Sequence, residues 1–198
     1  MHTLIVVAHP DPHSLTHAIA ARVRDGIAHA DPTGTVALAD LAAEGFDPRF
    51  NPADLAQFNN RGDSPADVLA EQQRLDGAAA LVLVYPIYWW SFPALLKGWI
   101  DRVFTQGWGY RETPEGKVGK LLQRLPVHLV GNGGADEGMM QRHGYFKAMQ
   151  TQIDHGIFDY CGAPVRGSHF LLASDPGFPA AHLERAFTIG QGIPSASA

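Results

Sequence analysis

The sequence predicts an α/β protein, a doubly wound sheet of five parallel strands in the order 2-1-3-4-5 with helices on both faces. Three observations predict it. The runs Thr3-Leu4-Ile5-Val6-Val7-Ala8 and Ala78-Ala79-Ala80-Leu81-Val82-Leu83-Val84 are continuously apolar rather than alternating, as strands covered on both faces are. Strand patterns alternate with helix patterns along the chain, which builds a parallel sheet through right-handed crossovers. Unusual residues collect just past the ends of the strands, where ligands of such sheets bind.

The elements follow in order. The first strand, residues 3–8, leads into a helix over 14–30, in which Leu15, Ala18, Ile19, Val23, Ile27 and Ala30 form one apolar stripe. Pro32-Thr33-Gly34 turns the chain into a second strand over 35–39. Residues 40–63 read as irregular, on Gly45-Phe46-Asp47-Pro48 and Asn59-Asn60-Arg61-Gly62-Asp63. Loops of that length in compact domains usually serve function. A helix over 66–76 precedes the third strand, 78–85, and the amphipathic helix 94–104 follows it. The fourth strand covers 126–130. A long helix runs from about 138 to 160, with Phe146, Met149, Ile153, Ile157 and Tyr160 on one side and Gly162 as its cap. A fifth strand at 164–172 and a last helix at 179–190 complete a single domain over 1–190, with a frayed tail at 191–198.

At 198 residues the chain suits one domain that buries about 70% of its unfolded surface. Hydrophobic content of 45% and charged content of 18% are ordinary for a globular protein. A net charge of −5 without a basic run argues against a nucleic-acid partner. The single cysteine, Cys161, permits no intramolecular disulfide and points to a reducing, cytoplasmic setting. No signal peptide is expected, because the chain enters its first strand at once. The longest apolar run is broken by Pro86, too short for a membrane span.

Three strand ends carry the candidate site. Tyr85-Pro86-Ile87-Tyr88-Trp89-Trp90 packs two of the four tryptophans and two of the five tyrosines into a turn, where Gly, Asn, Asp and Ser are the rule. A planar ligand would stack on such a wall. After the first strand, Pro10 and Pro12 hold the loop extended and Ser14 is a natural N-cap. The free N–H groups and the dipole of that helix end suit phosphate, with His9, Ser14 and Thr16 as further donors. Asn132-Gly133-Gly134 beyond the fourth strand lets a backbone approach a ligand closely. Neither a Gly-x-Gly-x-x-Gly fingerprint nor a Gly-Lys-Ser/Thr loop is present, which argues against a standard nicotinamide Rossmann enzyme or a P-loop hydrolase. His9, His13 and His17 recur every four residues, but the prolines break the helix that would align them, so no metal site is expected.

On Val6-Val7-Ala8-His9 with Ser14, on Pro86-Ile87-Tyr88-Trp89-Trp90, and on Pro93-Ala94-Leu95-Leu96-Lys97 with Arg102-Val103-Phe104, the chain resembles the NAD(P)H:quinone oxidoreductase (DT-diaphorase) family of flavodoxin-like flavoproteins. That family includes ancillary subunits of bacterial glutathione-gated potassium efflux systems. The resemblance implies FAD, or FMN as in some members, with its phosphate on His9, Ser14, Leu15 and Thr16. The ring would lie along Pro86, Ile87, Tyr88, Trp89 and Trp90, against Asn132, Gly133 and Gly134. It implies NAD(P)H and then a quinone in one pocket, in ping-pong order, with nitroaromatic or azo compounds as further acceptors. Trp89 and Trp90 would wall that pocket, and Trp108 and Tyr110 match a stretch lent across a homodimer interface. His143 matches the family's charge-stabilising His. The family's partner Tyr has no match; Tyr145 lies nearby but on the wrong side. Two other readings compete: a regulatory flavoprotein docked on a potassium-efflux transporter, and a one-electron carrier.

Overall fold

The computed structural model describes residues 1–113 and 115–196. A five-stranded sheet forms its centre: β1 (His2–Val7), β2 (Thr35–Asp40), β3 (Ala80–Pro86), β6 (Val127–Gly133) and β7 (Val165–Leu172). Its order is β2-β1-β3-β6-β7, all parallel, which is the predicted 2-1-3-4-5 arrangement. Two short strands, β4 (Tyr110–Glu112) and β5 (Val118–Lys120), form a separate antiparallel ribbon. Among the described residues no helix is long and apolar enough to cross a membrane.

Side chains alternate between the two faces of each strand, and the core divides accordingly. Leu4, Val6, Leu81, Leu83, Val127 and Leu129 face one apolar layer with α3 (Ala66–Asp76) and α4 (Ala94–Val103). Ile5, Val7, Val82, Val84 and Val130 face the other, with α1 (Leu15–Ala30) and α7 (Ala180–Ala196). Glycine lets α1 and α7 touch backbone to backbone. A Cβ on Gly26 would lie 2.1 Å from the Phe187 carbonyl oxygen, and one on Gly190 would lie 2.2 Å from that of Val23. Trp99 of α4 is fully buried, and its Nε1 donates to Glu71 at 2.9 Å. Truncating such a side chain costs about 3–5 kcal/mol.

Three elements differ from the sequence reading. The 40–63 segment is not wholly irregular: α2 (Pro52–Phe58) forms inside it, and its N-terminus is closed by a reciprocal Asn51–Asp54 capping box. The segment is tied down by Arg102, 2% exposed, whose guanidinium donates to Asp54 at 2.9 Å, Asp67 at 2.6 Å and the Asp47 carbonyl at 2.8 Å. The long helix of 138–160 is broken into α5 (Glu137–Arg142), α6 (Tyr145–Met149) and a π-helical segment, Gln150–Asp159. The break is Gly144, at φ +69°, a left-handed conformation that glycine adopts without strain. The last helix continues to Ala196 rather than ending near residue 190; residues 197 and 198 of the predicted tail lie outside the described residues.

Candidate active site

The predicted strand ends converge as the topology requires. Ser14 caps α1, its Oγ accepting from the His17 amide at 3.3 Å. The Leu15 and Thr16 amides open the helix and meet no acceptor among the described residues, as the first turn of a helix leaves them. Thr16 is buried, and its hydroxyl donates to Asn132 Oδ1 at 2.9 Å. That bond reaches past the end of β3 and joins the first predicted loop to the third. His9 is half-buried, with its Nδ1 3.0 Å from the Asp11 amide nitrogen and its ring edge-on to His17.

In the sequence His17 stands out only as a candidate metal ligand. Among the described residues no group of three or more potential ligands could hold a metal. His17 instead bridges two polar groups, with Nε2 2.9 Å from Asp40 Oδ2 and Nδ1 3.0 Å from Ser14 Oγ. A carboxylate only accepts, so Nε2 carries the hydrogen, and in the neutral ring Nδ1 accepts from the Ser14 hydroxyl. Burial works to raise the Asp40 carboxyl, but the bonds from His17 and from the Ala43 and Ala42 amides outweigh it and hold it below the ordinary range.

The aromatic segment is a tight turn. Tyr88 and Ser91 exchange backbone bonds at 3.2 and 3.0 Å, and Trp89 and Trp90 sit between them at φ +48° and +59°. Positive φ at both central positions marks a type I′ turn, which normally carries Asn-Gly. Left-handed backbone costs about 1–2 kcal/mol per non-glycine residue. Trp89 is 91% exposed, so burial does not repay its share. Strain of this kind collects at functional sites. Trp90 is held differently: its ring stacks on Tyr145 at 3.8 Å between centroids and 9° between planes. Tyr145 in turn stacks on His143 at 5.3 Å and 22°. The Ser91 hydroxyl ties the turn to the π-helical segment by donating to Gln152 at 2.6 Å.

One site expectation is corrected here. Tyr145 is not on the wrong side. The bend at Gly144 starts a new helix at Tyr145, which places its ring between Trp90 and His143. The amides of Ile87 and Tyr88 are engaged within the chain. Ile87 donates to the Asn132 carbonyl at 2.8 Å and Tyr88 to Ser91. The amides left without an acceptor in this segment, among the described residues, are those of Trp89 and Trp90.

His143 is exposed at the C-terminal end of α5. Gly133 lies against Ile87, whereas a Cβ on Gly134 would meet nothing within 4 Å. Open space at that strand end, two free amides at α1 and a flat aromatic stack form a cradle that suits a planar group carrying a phosphate. Trp108 and Tyr110 are not brought to this crevice within the chain. Trp108 packs edge-on to Phe104 and donates to Asp76 at 3.1 Å, and Tyr110 packs against Tyr160, both at the other end of α4.

The chain is similar to known proteins along most of its length. The profile of the flavodoxin-like fold matches residues 1–187. An uncharacterized NAD(P)H oxidoreductase of Haemophilus influenzae is 32% identical over 88% of this chain and 84% of its own length. The ribosyldihydronicotinamide dehydrogenase [quinone] of Pongo abelii is 27% identical over 87% of this chain and 81% of its own. The solved NAD(P)H:quinone oxidoreductase from Methanothermobacter marburgensis superposes with a TM-score of 0.85 at 25% identity, covering 98% of both chains. The chain therefore belongs to the flavodoxin-like fold family, in its group of NAD(P)H:quinone oxidoreductases.

Proposed function

We propose that this chain is a flavin-dependent oxidoreductase that takes reducing equivalents from NAD(P)H and delivers two electrons to quinones, with azo and nitroaromatic compounds as further acceptors. The observation that carries the reading is the Trp89–Trp90 turn, a strained and solvent-facing aromatic surface beside the open end of β6. A flavin, FMN or FAD, supplies the hydride chemistry when bound. The protein's part is to place and polarise. The Leu15 and Thr16 amides, at the positive end of α1, would hold the phosphate. Gly133 and Gly134 allow close approach to the ring edge. Trp90, locked on Tyr145, keeps the pocket wall rigid, and Trp89 extends it toward the acceptor. Tyr145 and His143 set two hydrogen-bonding side chains side by side, suited to stabilising negative charge that develops during reduction.

The site is read as complete in a homodimer, with Trp108 and Tyr110 facing the neighbour's pocket. Exposed Phe50, Leu55 and Phe58 line a cavity of about 430 Å³ that also includes Tyr110, and they would give such an interface its apolar surface. Light scattering on the eluted protein tests the dimer. A single buried cysteine suits the cytoplasm. The decisive experiment is purification followed by NAD(P)H oxidation with menadione. A yellow protein that turns over is expected, and the mass of the released cofactor decides between FMN and FAD. Flavin-loaded protein with no acceptor-dependent oxidation would overturn the reading.

A further inference from the structure

A second cavity, of about 390 Å³, lies between β6, β7 and the late turns of α7 and shares no residue with the crevice. His128, Arg166, His169, Arg185 and Ile189 line it, and among the described residues no carboxylate does. Strand alternation explains how a histidine reached this place. Val127 and Leu129 of β6 face the α3–α4 layer, so His128 points with Val130 toward α7. The residue is only 4% exposed, and its buried Nε2 meets no hydrogen-bond partner among the described residues. Burial is the main cause that pushes His128 down to about 4, with His169 and Arg166 adding to it, and burial followed by Arg185 lowers His169. Both rings are therefore neutral at pH 7, and each offers one N–H and one lone pair.

The cations around these rings are under-used. Arg166 makes no hydrogen bond or ion pair among the described residues. Arg185 donates to the Phe170 carbonyl at 3.3 Å and lies 3.5 Å from Asp175, but that carboxylate also serves His182 at 3.3 Å and the Leu172 amide at 3.2 Å. A buried polar atom left unpaired is costly and is nearly always met by water or a ligand. Water would satisfy a ring nitrogen. It does not account for two guanidiniums gathered in one cavity that no described carboxylate lines, on a chain of net charge −5. Forked guanidinium donors fit planar and tetrahedral oxyanions, Ile189 offers an apolar wall, and the volume is that of a small-molecule site. We propose that this cavity is a second binding site, for a small organic molecule bearing a phosphate or carboxylate group, gripped by Arg166 and Arg185 and seated on His128 and His169.

The test is histidine side-chain NMR on the purified, flavin-loaded protein, titrated separately with inorganic phosphate and with acetate. Loading occupies the α1 loop, where phosphate would otherwise compete. Saturable shifts of the His128 and His169 signals are expected with at least one anion, and the stronger response identifies the headgroup. Arg166 is exposed, so Arg166→Gln should fold normally. It should weaken the response about tenfold, the scale of a lost charge-assisted bond, and leave the NAD(P)H oxidation rate unchanged. Shifts that never saturate with either anion, or a saturable response that Arg166→Gln does not weaken, would overturn the proposal. A protein that carries no flavin would count against the crevice reading alone. The same titration on the protein as purified, compared with a Ser14→Ala variant, would still decide this site.

Discussion

The two ends of α4 treat their polar groups in opposite ways. At its C-terminal end Arg102 is buried and bonded to Asp54, Asp67 and the Asp47 carbonyl, and each guanidinium nitrogen donates within the chain. Just before its N-terminal end, Trp89 and Trp90 hold left-handed backbone, and their amides meet no acceptor among the described residues. The first region fastens a long connecting segment. The second keeps strain and free donors where a ligand can use them. The contrast separates residues whose loss should cost stability from residues whose loss should cost turnover.

The largest effect is expected from Arg102→Met. It leaves the Asp54 carboxylate buried without its cation and should lower unfolding free energy by about 3–5 kcal/mol. Urea denaturation measures this, and specific activity per folded molecule should stay normal. Next comes Trp90→Ala, which removes the Tyr145 stack and should lower kcat/KM with NAD(P)H and menadione about tenfold, or about 1.4 kcal/mol. Unchanged kinetics would return Trp90 to simple packing. Trp89→Gly should split the two properties. It relieves left-handed strain, raises stability by about 0.5–1 kcal/mol once glycine's entropy is subtracted, and slows turnover. A destabilised Trp89→Gly protein would show that the turn is not strained.

The smallest effect concerns pH. The bonds from Arg102 are the main cause that holds the Asp67 carboxyl below 3.8. A carboxyl lower in the folded state stabilises the protein above its unfolded pKa and loses that contribution as pH falls through the folded value. Stability should therefore decline as pH drops below about 4, and the decline should be shallower in Arg102→Met. Parallel acid profiles for the two proteins would break the link between the Arg102 cluster and that slope.

The sheet was legible because continuous apolar runs have one economical home, and its order followed from the alternation of elements. The three strand-end loops were legible for the same reason. Their detail was less so. Asn51-Pro52-Ala53-Asp54 is a capping box with proline at the first helical position, a start signal for α2 that loop composition on either side obscured. The break at Gly144 was hidden because the helical period of Phe146, Met149 and Ile153 starts just after it and helix-forming residues precede it, so that Gly144 was its one local sign. Tyr145 was misplaced as a result. The free amides of Trp89 and Trp90 follow from a turn type that two tryptophans do not announce.

The bond from Thr16 to Asn132 joins residues 116 positions apart. It makes the loop after β1 and the end of β6 one mechanical unit that straddles the end of β3. A phosphate bound there that drew the Thr16 hydroxyl toward itself would free Asn132 Oδ1 at the far side of the crevice, so occupancy at one loop would be felt at the other. The two loops should show a non-zero coupling energy in a double-mutant cycle of Thr16 and Asn132. Long and short cofactors would then differ in how they set the acceptor pocket as well as in how tightly they bind.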